Sequence, residues 1–476
     1  MNRKRATVAI VGGGFSGCMV TVHLLQQARR PLRVVLLDRA GAAGHGVAYR
    51  DQPECHLLNV RAGAMSALPD RPDHFLDWIN GAYSPCHPVG ADEFLPRRIY
   101  GLYVESLLAE AQRQAPPGVS LEFREAEVLG LRRGKDGVSL RLDGGVRLRA
   151  DRVVLALGNP GPADPPLADT AFYASPRYLG YAWSRGGLYS VGRDEDLLLI
   201  GSGLTALDWL AGLRTLGHRG RVHLLSRRGL LPHGHGATAP WTLSFDPLEL
   251  PLRPLLRRLR REIDRAQAGG GDWRAVVDAL RPHTPALWQG LSTAERRRFL
   301  RHLRPYWEIH RHRAAPRVVG LVRELLDSGQ LRLLAGRVEQ LRERDGAVQA
   351  QLRLRRGGEP LQLRVQRVVN CTGPDSNYRR LNHPLVVSLR ERGLIQPDAL
   401  GLGLLCDAQG ALLDREGQAS GWLHALGPLR KGELWETTAV PELRVQAQAL
   451  ARRLLQLEGV EREPQQPQLE GPRGSV

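Results

Sequence analysis

Short apolar runs alternate with stretches of helical spacing along most of the chain. Thr7 to Val11 is continuously apolar, as suits a strand buried on both faces of a parallel sheet. Gly12-Gly13-Gly14-Phe15-Ser16-Gly17 follows. Met19, Val22 and Leu25 then recur at helical spacing, and Arg33 to Leu37 is a second strand that ends at Asp38. The same order returns later. Leu197 to Ile200 is a strand, Gly201-Ser202-Gly203-Leu204-Thr205-Ala206 a turn, and Leu204, Leu207 and Leu210 line one helix face. Val222 to Leu225 is the next strand, ending at Ser226. From Gly12 to Asp38 and from Gly201 to Ser226 the two units are nearly equal in length.

Two more apolar runs end in glycine, Arg152 to Gly158 and Arg367 to Gly373. Each closes a stretch of period-two alternation that reads as a β-meander, Val138 to Leu148 and Val348 to Val365. Between the second unit and the later meander, residues 240–316 carry helical periodicity. Leu255, Leu256, Leu259 and Ile263 form one expected stripe, and Phe299 and Leu303 belong to another. The pattern predicts an α/β chain of two Rossmann-like domains. Residues 1–165 form the first and 170–370 the second, which carries a helical insertion at about 240–316. Residues 371–460 return to the first, and 461–476, rich in Pro, Gln and Gly, are expected to be a disordered tail.

Composition changes this picture little. Of 476 residues 42% are hydrophobic and 24% charged, which is ordinary for a soluble globular protein. The net charge is +18, but it comes from arginine spread along the chain; lysine occurs only at Lys4, Lys135 and Lys431. A dispersed excess is not a nucleic-acid stripe, so no nucleic-acid partner is expected, while anionic cofactors and substrates are favoured. Cys18, Cys55, Cys86, Cys371 and Cys406 include no CxxC or CxxxxC pair, so neither a zinc site nor a redox disulfide is expected. No apolar run is long enough to span a membrane. The expected location is the cytoplasm.

The chemistry lies in the glycine turns. In Gly12-x-Gly14-x-x-Gly17, Gly12 permits a tight turn, Gly14 lets a pyrophosphate approach the backbone, and Gly17 allows close helix–strand packing. Asp38 would accept hydrogen bonds from an adenosine ribose, and its charge would repel a 2′-phosphate. In the second unit Ser226, Arg227 and Arg228 stand at the equivalent strand end, where guanidinium groups suit a 2′-phosphate. The expected cofactors are therefore FAD in the first unit and NADPH in the second. His310-Arg311-His312-Arg313 is a cationic cluster read in two ways, as a site for phosphate or substrate carboxylate, or as a structural brace. No metal site is expected, since no third ligand accompanies the two histidines.

Several segments resemble the YdhS-type FAD/NAD(P)-binding proteins: Gly44 to Tyr49, His56 to Ser66, His74-Phe75 with Trp78, Leu95 to Gly101, Trp307 to Arg313, Gly427-Pro428, and Trp435 to Arg444. One branch similar to this chain comprises nitrosuccinate-forming monooxygenases, which N-oxidise aspartate with FAD, NADPH and O2. The wider relatives are class B flavin monooxygenases. Two departures stand out. Pro428 occupies the place of the aspartate that usually ends the late flavin motif, and Phe172 is followed by Ala174, which breaks the Baeyer–Villiger fingerprint.

Together these readings assign cofactor contacts to Gly12, Gly14, Phe15, Ser16, Gly17, Asp38, Arg39, Asn59, Met65 and Gly158 in the first domain. They assign Gly201, Gly203, Leu204, Thr205, Ser226, Arg227, Arg228, Thr372 and Gly373 at the second site, and Gly427, Glu436 and Thr437 in the return segment. Asn59, His310, Arg311 and Arg313 are the candidates for catalytic positions. The expected activity is an FAD- and NADPH-dependent monooxygenation, an N-oxidation of a small anionic amine or amino acid with O2. The alternatives are an NADPH:acceptor flavin reductase and a slow-turnover flavin sensor or interaction protein.

Overall fold

The computed structural model describes residues 5–50, 53–84 and 86–460, with side chains through residue 457. The tail expected at 461–476 lies outside the described residues. Thr7 to Val11 and its neighbours do form a parallel sheet. Its strand order is Ala411–Leu413, Ala419–Ala425, Arg152–Leu155, Ala6–Val11, Leu32–Asp38 and Val119–Glu125; only the Ala411–Leu413 edge is antiparallel. The strand Ala419–Ala425 pairs with Arg152–Leu155, so the late chain completes the sheet that the first residues begin.

Period-two geometry splits this sheet between two cores. Val8, Ile10, Val34 and Leu36 face one cluster, together with the helices Phe15–Gln27, Arg97–Arg113 and Val440–Val460. Ala9, Val11, Val35 and Leu37 face the other, against a three-stranded meander of Val128–Gly134, Gly137–Leu142 and Arg147–Ala150. The sequence predicts one apolar face for Phe15–Gln27, yet every residue from Phe15 to Leu25 is buried. The sheet covers one side and two further helices cover the rest, which periodicity within one helix cannot show.

The second sheet runs Leu361–Val365, Ala347–Leu354, Leu331–Arg344, Val222–Ser226, Leu197–Ile200, Arg367–Asn370 and Tyr178–Leu179. It is parallel from Leu331 to Tyr178 and antiparallel through the hairpins at 331–365. The fold is thus two Rossmann-like units. The chain crosses between them twice, and the crossings lie side by side. Asp375 N–H donates to Gly161 O at 3.0 Å, and Asn370 Nδ2 donates to Ala163 O at 3.0 Å.

Of the segment expected to be helical, residues 240–251 are loop and a short 3-10 turn, and helices run from Leu252–Ala268 through Trp273–Leu280, Thr284–Gly290 and Thr293–Arg298 to Arg304–Arg311. The expected stripe on the first of these is only partly the buried one. Leu255, Ala266 and the charged Glu262 are buried, while Leu256, Leu259 and Ile263 are half-buried. Glu262 is tolerated because Trp241 Nε1 (3.1 Å), Ser244 and Arg265 (3.0 Å) all donate to its carboxylate. Among the described residues no helix is long and apolar enough to cross a membrane.

The core also holds histidines without protons to spare. Burial lowers both His23 and His424 from 6.5 to about 4. They are neutral in the folded chain over a range in which the unfolded chain is protonated. Unfolding therefore takes up protons between pH 6.5 and 4, and stability present above 6.5 is lost as the pH falls toward 4. Denaturation midpoints should drop across this window, and His424→Leu should flatten the drop; an unchanged slope in the variant would contradict the assignment.

Candidate functional site

The two glycine turns are near copies of each other. Gly12 has φ +111° and Gly201 φ +108°, a region that L side chains rarely adopt. Gly12 N–H donates to Leu37 O and Gly201 N–H to Leu225 O, both at 2.8 Å. A Cβ at Gly12 would collide with Ala156 O, and one at Gly201 with Cys371 O. Gly17 is equally closed, since a Cβ there would strike Gly12 O. These three glycines are required by the backbone itself.

Gly14 and Gly203 differ. Both have extended φ values, −73° and −82°, that any residue adopts. A Cβ on Gly14 would meet only Gly46 Cα at 3.6 Å, and one on Gly203 nothing within 4 Å. The protein does not need glycine at either position, but a ligand lying against the backbone would. Each is the N-cap of its helix, and neither helix start has a side-chain cap. The first N–H groups, of Phe15, Ser16 and Gly17 in one helix and of Leu204 and Thr205 in the other, have no carbonyl a turn back to bond. Free donors, an uncrowded glycine and the helix dipole together make a cradle that fits a pyrophosphate.

The strand ends separate the two cradles. Asp38 accepts from Gly13 N–H at 2.7 Å and Ala40 N–H at 2.8 Å, so it shapes the first turn, and each oxygen keeps a lone pair for a ribose hydroxyl. Arg39 beside it is exposed. In the second unit Ser226 Oγ accepts from Gly229 N–H at 3.1 Å. Arg227 is exposed, whereas Arg228 donates to Arg301 O (3.1 Å) and His302 O (3.4 Å) and lies over the Tyr306 ring at 5.0 Å. The sequence treats this pair as equivalent; the fold gives one to solvent and the other to the insertion.

Gly158, at φ +67°, follows the third strand of the first sheet, and Thr372-Gly373 follows the equivalent strand of the second. Thr372 is fixed by Asn370, whose Oδ1 accepts from its Oγ1 at 2.5 Å and its N–H at 3.1 Å. Met65 is buried in the first core. Asn59 lies in the half-buried loop before it, where its carbonyl accepts from His235 Nε2 at 3.0 Å. Burial holds that imidazole down to about 4, against the pull of this hydrogen bond.

The His310 ring meets His233 at a tilt (4.6 Å) and Trp273 edge-on (4.7 Å), and its Nδ1 donates to Tyr306 O at 2.7 Å. Arg311 and Arg313 are both buried and both paired. Arg311 reaches Glu436 at 3.6 Å and Glu442 at 3.4 Å; Arg313 bonds Asp278 and donates to His310 O. Burial draws the Arg311 guanidinium below its ordinary range, with Glu436 pulling it back. Of the two roles the sequence leaves open for this segment, these contacts describe the brace. Glu436 is also turned toward the insertion, accepting from Trp307 Nε1 at 3.1 Å. Thr437 Oγ1 donates to Gly427 O at 3.1 Å, and Gly427 lies against Ser16, so the return segment abuts the first cradle.

Sequence reasoning missed three parts. The Arg97–Asp208 ion pair, 2.8 Å and nearly buried, joins the two units one turn into the helix Leu204–Thr215. Burial raises Asp208 to about 6, opposed by Arg97. The glycines at 44 and 46, noted in the sequence only for the resemblance they carry, run past the first cradle, with Gly44 N–H donating to Gly13 O at 2.8 Å. Trp435 has φ +59°, which costs a bulky residue about 1–3 kcal/mol, and no local pattern announces it. A cleft of about 500 Å3, lined by Cys55, Leu57, Phe94, Thr215 and Arg317, lies at the opposite end of helix Leu204–Thr215 from its cradle.

Known proteins share sequence and fold with this chain. A sequence family described as FAD-NAD(P)-binding matches residues 9–160. An L-aspartate N-monooxygenase (nitrosuccinate-forming) of Streptomyces cremeus is 28% identical over 280 residues, 49% of this chain and 40% of the relative. The uncharacterized protein YdhS of Escherichia coli is 24% identical over 308 residues, 58% of this chain and 54% of YdhS. The chain thus spans about half or less of the length of these curated relatives. Among solved structures, the reduced form of an ornithine hydroxylase of Pseudomonas aeruginosa shares the fold, with TM-score 0.63 and 17% identity over 95% of this chain and all 100% of that one. The chain is therefore a relative of YdhS and of the nitrosuccinate-forming aspartate N-monooxygenases, with an FAD-NAD(P)-binding region at residues 9–160 and the two-unit fold of an ornithine hydroxylase.

Proposed function

We propose that this protein is an FAD- and NADPH-dependent monooxygenase that N-oxidises a small amine or amino acid bearing a negative charge. The observation that carries the reading is the pair of matching cradles in one chain, one ending in a carboxylate and the other in an exposed guanidinium. When bound, FAD would take a hydride from NADPH and pass two electrons to O2, one oxygen atom going to the substrate nitrogen and the other to water. The residues of the chain bind, orient and shield. The N–H groups of Phe15 to Gly17 hold the pyrophosphate of FAD, and Asp38 holds its ribose. Leu204 and Thr205 hold the phosphates of NADPH. Arg227 meets the 2′-phosphate. Arg311 and Arg313, already neutralised by carboxylates, keep the helical insertion in place. The dispersed positive charge favours arrival of an anionic substrate. The aspartate-oxidising relative supports an amino acid as substrate.

Gly14→Val should remove FAD binding and leave the fold intact, whereas Gly17→Val should destabilise the protein by at least about 2 kcal/mol, because only the second collides with protein backbone. Flavin absorbance after reconstitution and thermal melting separate the two effects. Equal melting temperatures for both variants would contradict the distinction.

Arg227→Ala should weaken NADPH by about ten- to a hundred-fold, the worth of one charge-assisted hydrogen bond, and leave NADH nearly unchanged. Titration with both nucleotides checks this, and an equal loss for both would displace the 2′-phosphate from Arg227.

The reaction itself is tested by following NADPH oxidation, H2O2 and nitrogen-oxidised product across a panel of amines and amino acids that includes aspartate. At least one substrate should couple NADPH consumption to N-oxidised product. NADPH consumption that returns only H2O2 with every member would favour a reductase instead.

A further inference from the structure

The two cradles are far apart in sequence, yet an unbroken set of contacts leads from the strand end of the second to the helix start of the first. It begins at Arg228. Pro305, at the start of the helix Arg304–Arg311, offers no N–H donor to the π-helical turn Phe299–Leu303 that precedes it. Arg228 donates to Arg301 O at 3.1 Å and His302 O at 3.4 Å while its guanidinium covers Tyr306. The same helix, Arg304–Arg311, then presents Trp307 and Arg311 to the two oxygens of Glu436. Glu436 follows Trp435, whose backbone has the unfavourable φ of +59°. Trp435 is held in that conformation from outside, stacked on Trp288 at 4.8 Å and met edge-on by Phe299 at 5.1 Å, both in the insertion. Thr437 then ties to Gly427, which lies against Ser16.

We infer that Arg228 is a positioning residue, which docks the helical insertion on the second nucleotide unit and so keeps the strained Trp435–Thr437 turn pressed against the first. A strained turn persists only while its surroundings hold it, so a loosened insertion should release it. Arg227, one residue away and exposed, takes no part in this. The consequence for flavin affinity rests on FAD occupying the first cradle, as proposed above; the consequence for the turn does not.

Hydrogen–deuterium exchange on the full chain without added nucleotide tests the docking directly. In Arg228→Ala, amides of residues 299–311 and 434–443 should exchange about tenfold faster, the effect of losing two charge-assisted hydrogen bonds and a cation–π contact at a solvent-facing site. Arg228→Lys, which keeps a cation over Tyr306, should be intermediate, and Arg227→Ala should match the wild type. Glu436→Gln should also speed the 434–443 segment, and adding Arg228→Ala to it should give less than the product of the two single effects there. FAD titration should show Arg228→Ala weakened about five- to tenfold, although Arg228 belongs to the other cradle. Unchanged exchange at 434–443 in Arg228→Ala, or effects that simply multiply, would overturn the inference. A wild-type chain that takes up no FAD would instead overturn the proposed function, and the exchange results would still decide the role of Arg228.

Discussion

The two glycine cradles depend on backbone N–H groups that the protein leaves without a capping side chain. Each nucleotide helix begins at a glycine that has no capping side chain, immediately after a turn so tight that its first glycine touches the next strand. The tightness aims the helix start out of the sheet, and the missing cap leaves donors there for an anion. Had Gly14 been a serine, the cap would have been filled from within and the anion site weakened. The paired sheets, the buried helices behind them and the side-by-side crossings all serve to hold two such starts in one body.

The second theme is the use of arginine. A net charge of +18 suggests an attractive surface, yet many of the guanidinium groups near the sites are structural. Arg97 joins the two units through Asp208, Arg311 binds the insertion to the return segment through Glu436 and Glu442, and Arg228 donates to the Arg301 and His302 carbonyls of the insertion. A planar fork with several donors can serve two acceptors at once, which suits junctions between elements that were not designed against each other by local sequence. Burying a charge is costly when it is alone, and each of these is met by carboxylate or carbonyl oxygen.

The relationship to aspartate N-monooxygenases and the shared fold with an ornithine hydroxylase give the two cradles a chemical context. The insertion of this chain touches both units. It contacts the second through Arg228 and the loop at His233, and the return segment of the first through Trp288, Trp307 and Arg311.

The sequence by itself determined the two strand–turn–helix–strand units, their glycines and the contrast between Asp38 and the arginines at 227 and 228. These are local features, since a tight turn, a helix start and a strand end are each set by a handful of consecutive residues. It also located the insertion and the meanders from their periodicity. Tertiary structure alone decided which residues of that legible set are free to bind. Arg227 and Arg228 are neighbours with the same chemistry, and only the arrival of the Arg301 carbonyl from the insertion separates them. The same holds for Phe15–Gln27, buried on every side because two distant helices cover it, and for Trp435, whose strained backbone is held by aromatic rings more than a hundred residues away. Periodicity and motif report what a residue can do; which partner reaches it first is settled by packing over long sequence separations.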